Sequence, residues 1–214
     1  WHAYMAAIRC PQVATVVPEN IFTDYAEFAV RNGCLNRWFF TRTMRRRIMT
    51  AGFQELARQW ALSGEWDLLQ QWLRPASPLV FVDRIRCPVF ILHGWHDVGM
   101  PPNEVVALFE RLRVPKKLYF GGGGHDGQDQ GTVLEYREAL VERWLDHWLK
   151  SKDTGILEEA PVSCALRPGW DHTQVSDLSA AASGELALYL RAGGRLDAEA
   201  TALVWPAVAL ALMC

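Results

Sequence analysis

The chain has 214 residues, half of them hydrophobic, with 22 basic and 24 acidic side chains and a formal net charge of −2. That is enough apolar material for one sizeable core and part of another, and the near-neutral balance gives no footprint for nucleic acid or an anionic membrane surface. No segment approaches the roughly 20 apolar residues a membrane helix needs. The five cysteines are odd in number and form no CxxC pair, which reads as free thiols in a reducing compartment and points to a cytoplasmic protein. The basic run Arg45-Arg46-Arg47 reads as a solvated helix face, with an acidic partner as the alternative.

The chain opens without Met, inside the helical pattern Trp1-His2-Ala3-Tyr4-Met5-Ala6-Ala7, and is expected to be a piece of something longer. Val13-Ala14-Thr15-Val16-Val17-Pro18 follows as a short β-branched run closed by proline, predicting a buried strand. Helix then strand within a few residues is the rhythm of a parallel α/β sheet. From Ile21 to about Leu73 the apolar and aromatic residues recur at helical spacing (Phe22, Tyr25, Phe28, Trp38, Phe39, Phe53, Leu56, Trp60, Trp66, Leu69, Trp72). This predicts a block of amphipathic helices without strands, set over the strand ends as a cap. Its tryptophans read as packing residues, or as the lining of a substrate pocket.

Beyond Pro75 and Pro78, Val89-Phe90-Ile91-Leu92-His93-Gly94 is apolar on both faces, as a central parallel strand covered on each side must be. A helix is expected from Glu104 to Leu112, a strand at Lys117-Leu118-Tyr119-Phe120, and a long helix from about Val133 to Leu149. Ser151 to Glu159 reads as a polar linker, and Pro161 to Leu166 and Glu185 to Leu190 as strands of a second, β-rich unit with a turn at Gly193-Gly194.

Two loops carry the chemistry. Each directly follows a central parallel strand, where open α/β sheets bind ligands. The first is His93-Gly94-Trp95-His96-Asp97, whose aspartate can orient a histidine and stabilise its imidazolium. The second is Gly121-Gly122-Gly123-Gly124-His125, whose glycines permit a sharp turn and whose histidine can act as a general base near neutral pH. Acid before base, Asp97 before His125, is the α/β-hydrolase order. Taken singly, the Asp could be only a helix N-cap and the His only a turn residue. A metal set drawn from His93, His96, Asp97, His125, Asp126 and Asp129 is the competing reading, but no helical HExxH-like spacing is present. We expect no metal and no cofactor.

No G-x-S-x-G nucleophile elbow occurs. Ser63, Ser77, Ser183 and Cys34 all lie in the wrong context for one. The elbow opens the helix that precedes the strand at Val13 to Val17, so the serine is expected a few residues before Trp1.

At these residues the chain resembles the peptidase S15 group, which includes Xaa-Pro dipeptidyl-peptidases, cocaine-esterase-like (CocE/NonD) hydrolases and α-amino-acid ester hydrolases. Ile85 to Asp97 resembles the group's acid segment, Val114 to His125 its histidine segment, and Arg143-Trp144-Leu145-Asp146-His147-Trp148-Leu149-Lys150 the helix that follows. Ala14 to Pro18 is similar to the strand after the nucleophile helix, and Leu188-Tyr189-Leu190 with Gly193-Gly194-Arg195-Leu196 to an early strand of the group's jelly roll. The resemblance implies the C-terminal half of an α/β-hydrolase parallel sheet with a helical cap, followed by the start of a β jelly-roll domain. The expected division is 1–20 (helix and strand after the elbow), 21–78 (cap), 79–150 (hydrolase core) and 160–214 (partial jelly roll). It implies a serine hydrolase that cleaves a peptide (Xaa-Pro dipeptidyl) or an ester or amide bond through an acyl-enzyme, with Asp97 as acid and His125 as base. The substrate would be a small ester or a short peptide, with Asp24 or Glu27 as candidates for holding its ammonium group. Nucleic acid and membrane are not expected as partners; a homo-oligomer is possible. Without serine and oxyanion donors the chain itself would be catalytically silent. The alternative is a non-catalytic truncated or degraded hydrolase-fold protein, with the unusual tail Ala202 to Cys214 as the mark of a frameshift.

Overall fold

A computed structural model describes residues 1–37, 39, 41, 50–125, 129–166, 169–178, 186–198 and 208–210. Trp38, the Arg45-Arg46-Arg47 run, Asp126, Ser183 and most of the 202–214 tail lie outside the described residues.

The centre is a mixed sheet. Strand β3 (Val89–Gly94) pairs in parallel with β4 (Lys116–Gly121), β4 in parallel with β5 (Val162–Leu166), and β5 antiparallel with β6 (Asp171–Val175). The Val13–Pro18 run joins the other edge of β3, but through bridges at Val16 and Glu19 rather than as a continuous strand. Its ladder runs from Val16 N to Pro88 O, from Phe90 N to Val16 O and from Leu92 N to Pro18 O. Pro18 has no N–H to donate, which limits regular pairing there.

All six residues of β3 are buried, as its two-sided apolar pattern requires. Val89 and Ile91 face one core with Tyr4 of α1 (His2–Arg9), Leu118, Phe120, and Val105, Leu108 and Phe109 of α5 (Pro102–Arg111). Phe90 and Leu92 face a second core with Tyr119 and with Val133, Leu140 and Trp144 of α6 (Thr132–Lys150). A third cluster holds the cap together: Phe28 of α2 (Tyr25–Ala29), Phe53 and Ala57 of α3 (Ala51–Ser63), and Leu69 and Leu73 of α4 (Trp66–Leu73). Helix α2 is capped by Asp24, whose Oδ1 accepts from Ala26 N and Glu27 N and from the Ser77 hydroxyl. Helix α3 starts on Thr50 and stops at Gly64, at φ +76°.

Three expectations need correction. The cap is not purely helical, because β1 (Val30–Arg31) and β2 (Cys34–Leu35) form a small antiparallel hairpin. Its two-residue turn, Asn32-Gly33, has positive φ at both positions (+51° and +71°), which is the geometry an Asn-Gly pair favours in a hairpin. The polar stretch after α6 is not a free linker: Arg143 donates to Thr154 O and pairs with Glu159, and Lys152 pairs with Asp146. Ile156 is buried in the α6 core. Finally, Val162–Leu166 extends the central sheet instead of opening a separate β unit, because it pairs in parallel with β4. A buried Lys117 secures that junction by donating to Ala160 O at 2.8 Å.

Farther along, β7 (Leu186–Arg191) pairs antiparallel with β8 (Arg195–Asp197) and with β9 (Val208–Leu210). The turn between β7 and β8 uses Gly193 and Gly194, both at positive φ. Among the described residues no helix is long and apolar enough to cross a membrane.

Candidate active site

Gly94 and Gly121 end two neighbouring parallel strands in register, so the loops after them emerge side by side. They are stitched together by backbone bonds from Trp95 N to Gly121 O (3.0 Å) and from His96 N to Gly123 O (3.1 Å). The approach is close enough to need glycine. A Cβ on Gly124 would stand 2.9 Å from His96 O, and one on Gly99 would press on Asp97 Oδ1 at 3.3 Å.

This packing brings together the two residues singled out in the sequence. His125 Nδ1 lies 3.0 Å from Asp97 Oδ2, and the Asp97 side chain is fully buried while His125 stays partly exposed. The other carboxylate oxygen accepts from Gly99 N (2.9 Å) and Met100 N (2.7 Å). Both Asp97 oxygens are therefore engaged and the carboxylate is fixed in orientation. With a carboxylate at Nδ1, that nitrogen carries the proton.

The neighbouring histidines serve the scaffold. His93 donates from Nε2 to Met100 O at 2.7 Å, which pins the loop segment that binds Asp97. Burial holds its imidazole below the usual range, so it stays neutral. His96 donates to Gly122 O at 3.2 Å. Among the described residues no group of three His, Cys, Asp or Glu side chains is arranged to hold an ion.

A cavity of about 480 Å³ opens beside His125, lined by Glu19, Asn20, Tyr119, Asp129 and Arg137 among others. Glu19 and Arg137 pair across it at 2.6 Å. The sequence reading missed Asn20, whose side chain reaches both loops. It also offered Asp24 for ammonium recognition, whereas Asp24 Oδ1 is committed to capping α2. Ser63 bonds to Trp60 O and Glu65, Ser77 to Asp24, and Cys34 is exposed in the hairpin.

A sheet with helices on both faces, a helical cap, and an Asp–His pair on consecutive strand-end loops make up an α/β-hydrolase type of architecture. Comparison with known proteins agrees. A CocE/NonD family hydrolase from Staphylococcus aureus superimposes on 92% of the chain with a TM-score of 0.62 at 16% identity, and an aminopeptidase from a marine sediment archaeon (Thaumarchaeota archaeon) on 92% with a TM-score of 0.53 at 17% identity. Residues 46–127 match the family of X-Pro dipeptidyl-peptidases (S15 family). A Bacillus cereus protein named as an Xaa-Pro dipeptidyl-peptidase is 30% identical over 81 residues, 36% of this chain. Residues 46–127 are thus similar in sequence to the S15 family, and the fold is similar to that of a CocE/NonD family hydrolase. The chain spans only part of these proteins: the matches cover 36% of the S. aureus hydrolase, 40% of the archaeal aminopeptidase and 13% of the B. cereus protein.

Proposed function

We propose that Asp97 and His125 are the acid and base of a serine hydrolase of the S15 type, which cleaves a peptide or ester bond in a small substrate through an acyl-enzyme. The observation that carries this reading is the 3.0 Å contact of His125 Nδ1 with a buried, fully engaged Asp97 carboxylate at adjacent strand ends. In the first half-reaction His125 Nε2 takes the proton of the serine hydroxyl as the oxygen attacks the carbonyl carbon, then gives it to the departing amine or alcohol. In the second, it deprotonates water and returns the proton to serine. Asp97 keeps the imidazole in one tautomer and stabilises its charged form.

In this reading the attacking hydroxyl is that of a serine nucleophile, for which the given sequence holds no G-x-S-x-G elbow. The antiparallel strands β7 to β9 are read as the opening of a jelly-roll domain. A cytoplasmic setting fits the free thiols Cys10, Cys34, Cys87 and Cys164. His125→Ala in the intact enzyme tests the assignment: turnover should be abolished, and retained turnover would sink it. Comparing a Xaa-Pro anilide with a simple aryl ester separates peptidase from esterase.

A further inference from the structure

Asn20 stands at the end of the Val13–Glu19 segment and touches both site loops. Its backbone N–H donates to Leu92 O at 3.0 Å, which anchors it to β3. Its side-chain Oδ1 accepts from Gly94 N at 2.9 Å, at the root of the acid loop. Its Nδ2 donates to Gly124 O at 3.4 Å, on the residue directly before His125. The two contacts fix the amide orientation, since an N–H can face only the acceptor and a carbonyl only the donor. Asn20 also sits at φ +43°, in the left-handed region that most side chains avoid and Asn tolerates.

A single side chain in a demanding backbone conformation thus spans the acid strand and the base loop. The loop it holds is glycine-rich, with little side-chain packing of its own to set its height above the sheet. We propose that Asn20 is a positioning residue, which fixes the His125 loop against the Asp97 strand so that the imidazole keeps its hydrogen bond to the carboxylate. The proposal rests on the acid–base reading for its catalytic meaning, but the positioning itself can be measured in this chain.

The test follows the His125 Nδ1 proton by NMR in the chain carrying Asn20→Ala, Asn20→Gly or Asn20→Asp. Ala removes both bonds. Gly removes both but accepts positive φ, so it separates hydrogen bonding from backbone conformation. Asp keeps an acceptor for Gly94 N and sets an oxygen against Gly124 O. All three should exchange that proton with water faster, by about tenfold, the factor expected from the loss of one supporting hydrogen bond. Wild-type exchange in Asn20→Ala, or in Asn20→Gly, overturns the proposal. If Asn20→Ala does not fold, the Gly and Asp variants carry the same test. In the intact enzyme the same variants should lower kcat by about 10- to 100-fold with KM little changed. If His125→Ala leaves turnover whole, the catalytic reading fails while the exchange result still decides the role of Asn20.

Discussion

A Cβ built on Gly94 would lie 2.3 Å from the carbonyl oxygen of Gly123 and 2.8 Å from its carbonyl carbon. The end of β3 and the loop that carries His125 are in backbone contact there, and the obstacle is main chain, which cannot swing aside as a flexible side chain would. Gly94→Ala should force the loops apart and cost about 1–3 kcal/mol, the usual range for overpacking. Urea unfolding measures the cost, and the intact enzyme should lose kcat along with it. An alanine variant of full stability and activity would show that the contact is not required.

Asp97→Asn keeps the size of the side chain but replaces one accepting oxygen with a donating NH₂. If that group faces His125, the imidazole must take the opposite tautomer. By analogy with serine proteases, kcat in the intact enzyme should fall by about 10⁴-fold while the fold survives. Equal thermal melting with lost turnover is the expected pair of results. Turnover near wild type would mean that Asp97 does not orient His125.

Glu104 at the start of α5 is buried, and one of its carboxylate oxygens has no partner. Burial raises its pKa from 4.5 to about 7, against the opposing charge of Arg31 at 3.4 Å and with help from Asp24 and Glu27. The folded state therefore favours the protonated acid. Below about pH 4.5 the group is protonated in both states and its contribution is fully present. As pH rises toward 7 the unfolded chain releases the proton first, and stability falls by on the order of 3 kcal/mol. Glu104→Gln removes this slope, so its stability relative to wild type should climb between pH 5 and pH 8. Parallel stability curves would refute the assignment.

Trp144 is fully buried, with its ring 5.6 Å from Phe90 and 5.8 Å from Trp148. Its Nε1 donates to Thr15 Oγ1 at 2.8 Å, and Thr15 in turn donates to Pro88 O. One residue thus joins α6 to the sheet edge that leads to Asn20. Trp144→Ala should destabilise the chain by about 3–5 kcal/mol in denaturant unfolding. A loss well under about 1 kcal/mol would mean that the site collapses around the gap.

The reading of particular residues followed how local their physics is. Val89 to Leu92 is apolar at every position, as a strand covered on both faces must be, and the Asp97 and His125 loops followed from the strand ends. The Asn32-Gly33 hairpin is legible in the same way, since that dipeptide favours a two-residue turn, but it is set among apolar residues at helical spacing, which points the other way. Val162 to Leu166 was ambiguous for another reason. A short strand looks the same whether it joins the preceding sheet or begins another, and only the partner across it, β4, decides.

The sequence alone set the alternation of helix and strand, the two-sided burial of β3, and the placement of Asp97 and His125 in loops after consecutive strands, because each depends on residues close together in the chain. The tertiary structure decided the rest. It brought Asp97 within 3.0 Å of His125 across 28 residues, and set Asn20 against Gly94 and Gly124 across 74 and 104. Contacts of that range leave no periodic trace in the sequence, since what creates them is the register of parallel strands and the close approach of glycine backbones.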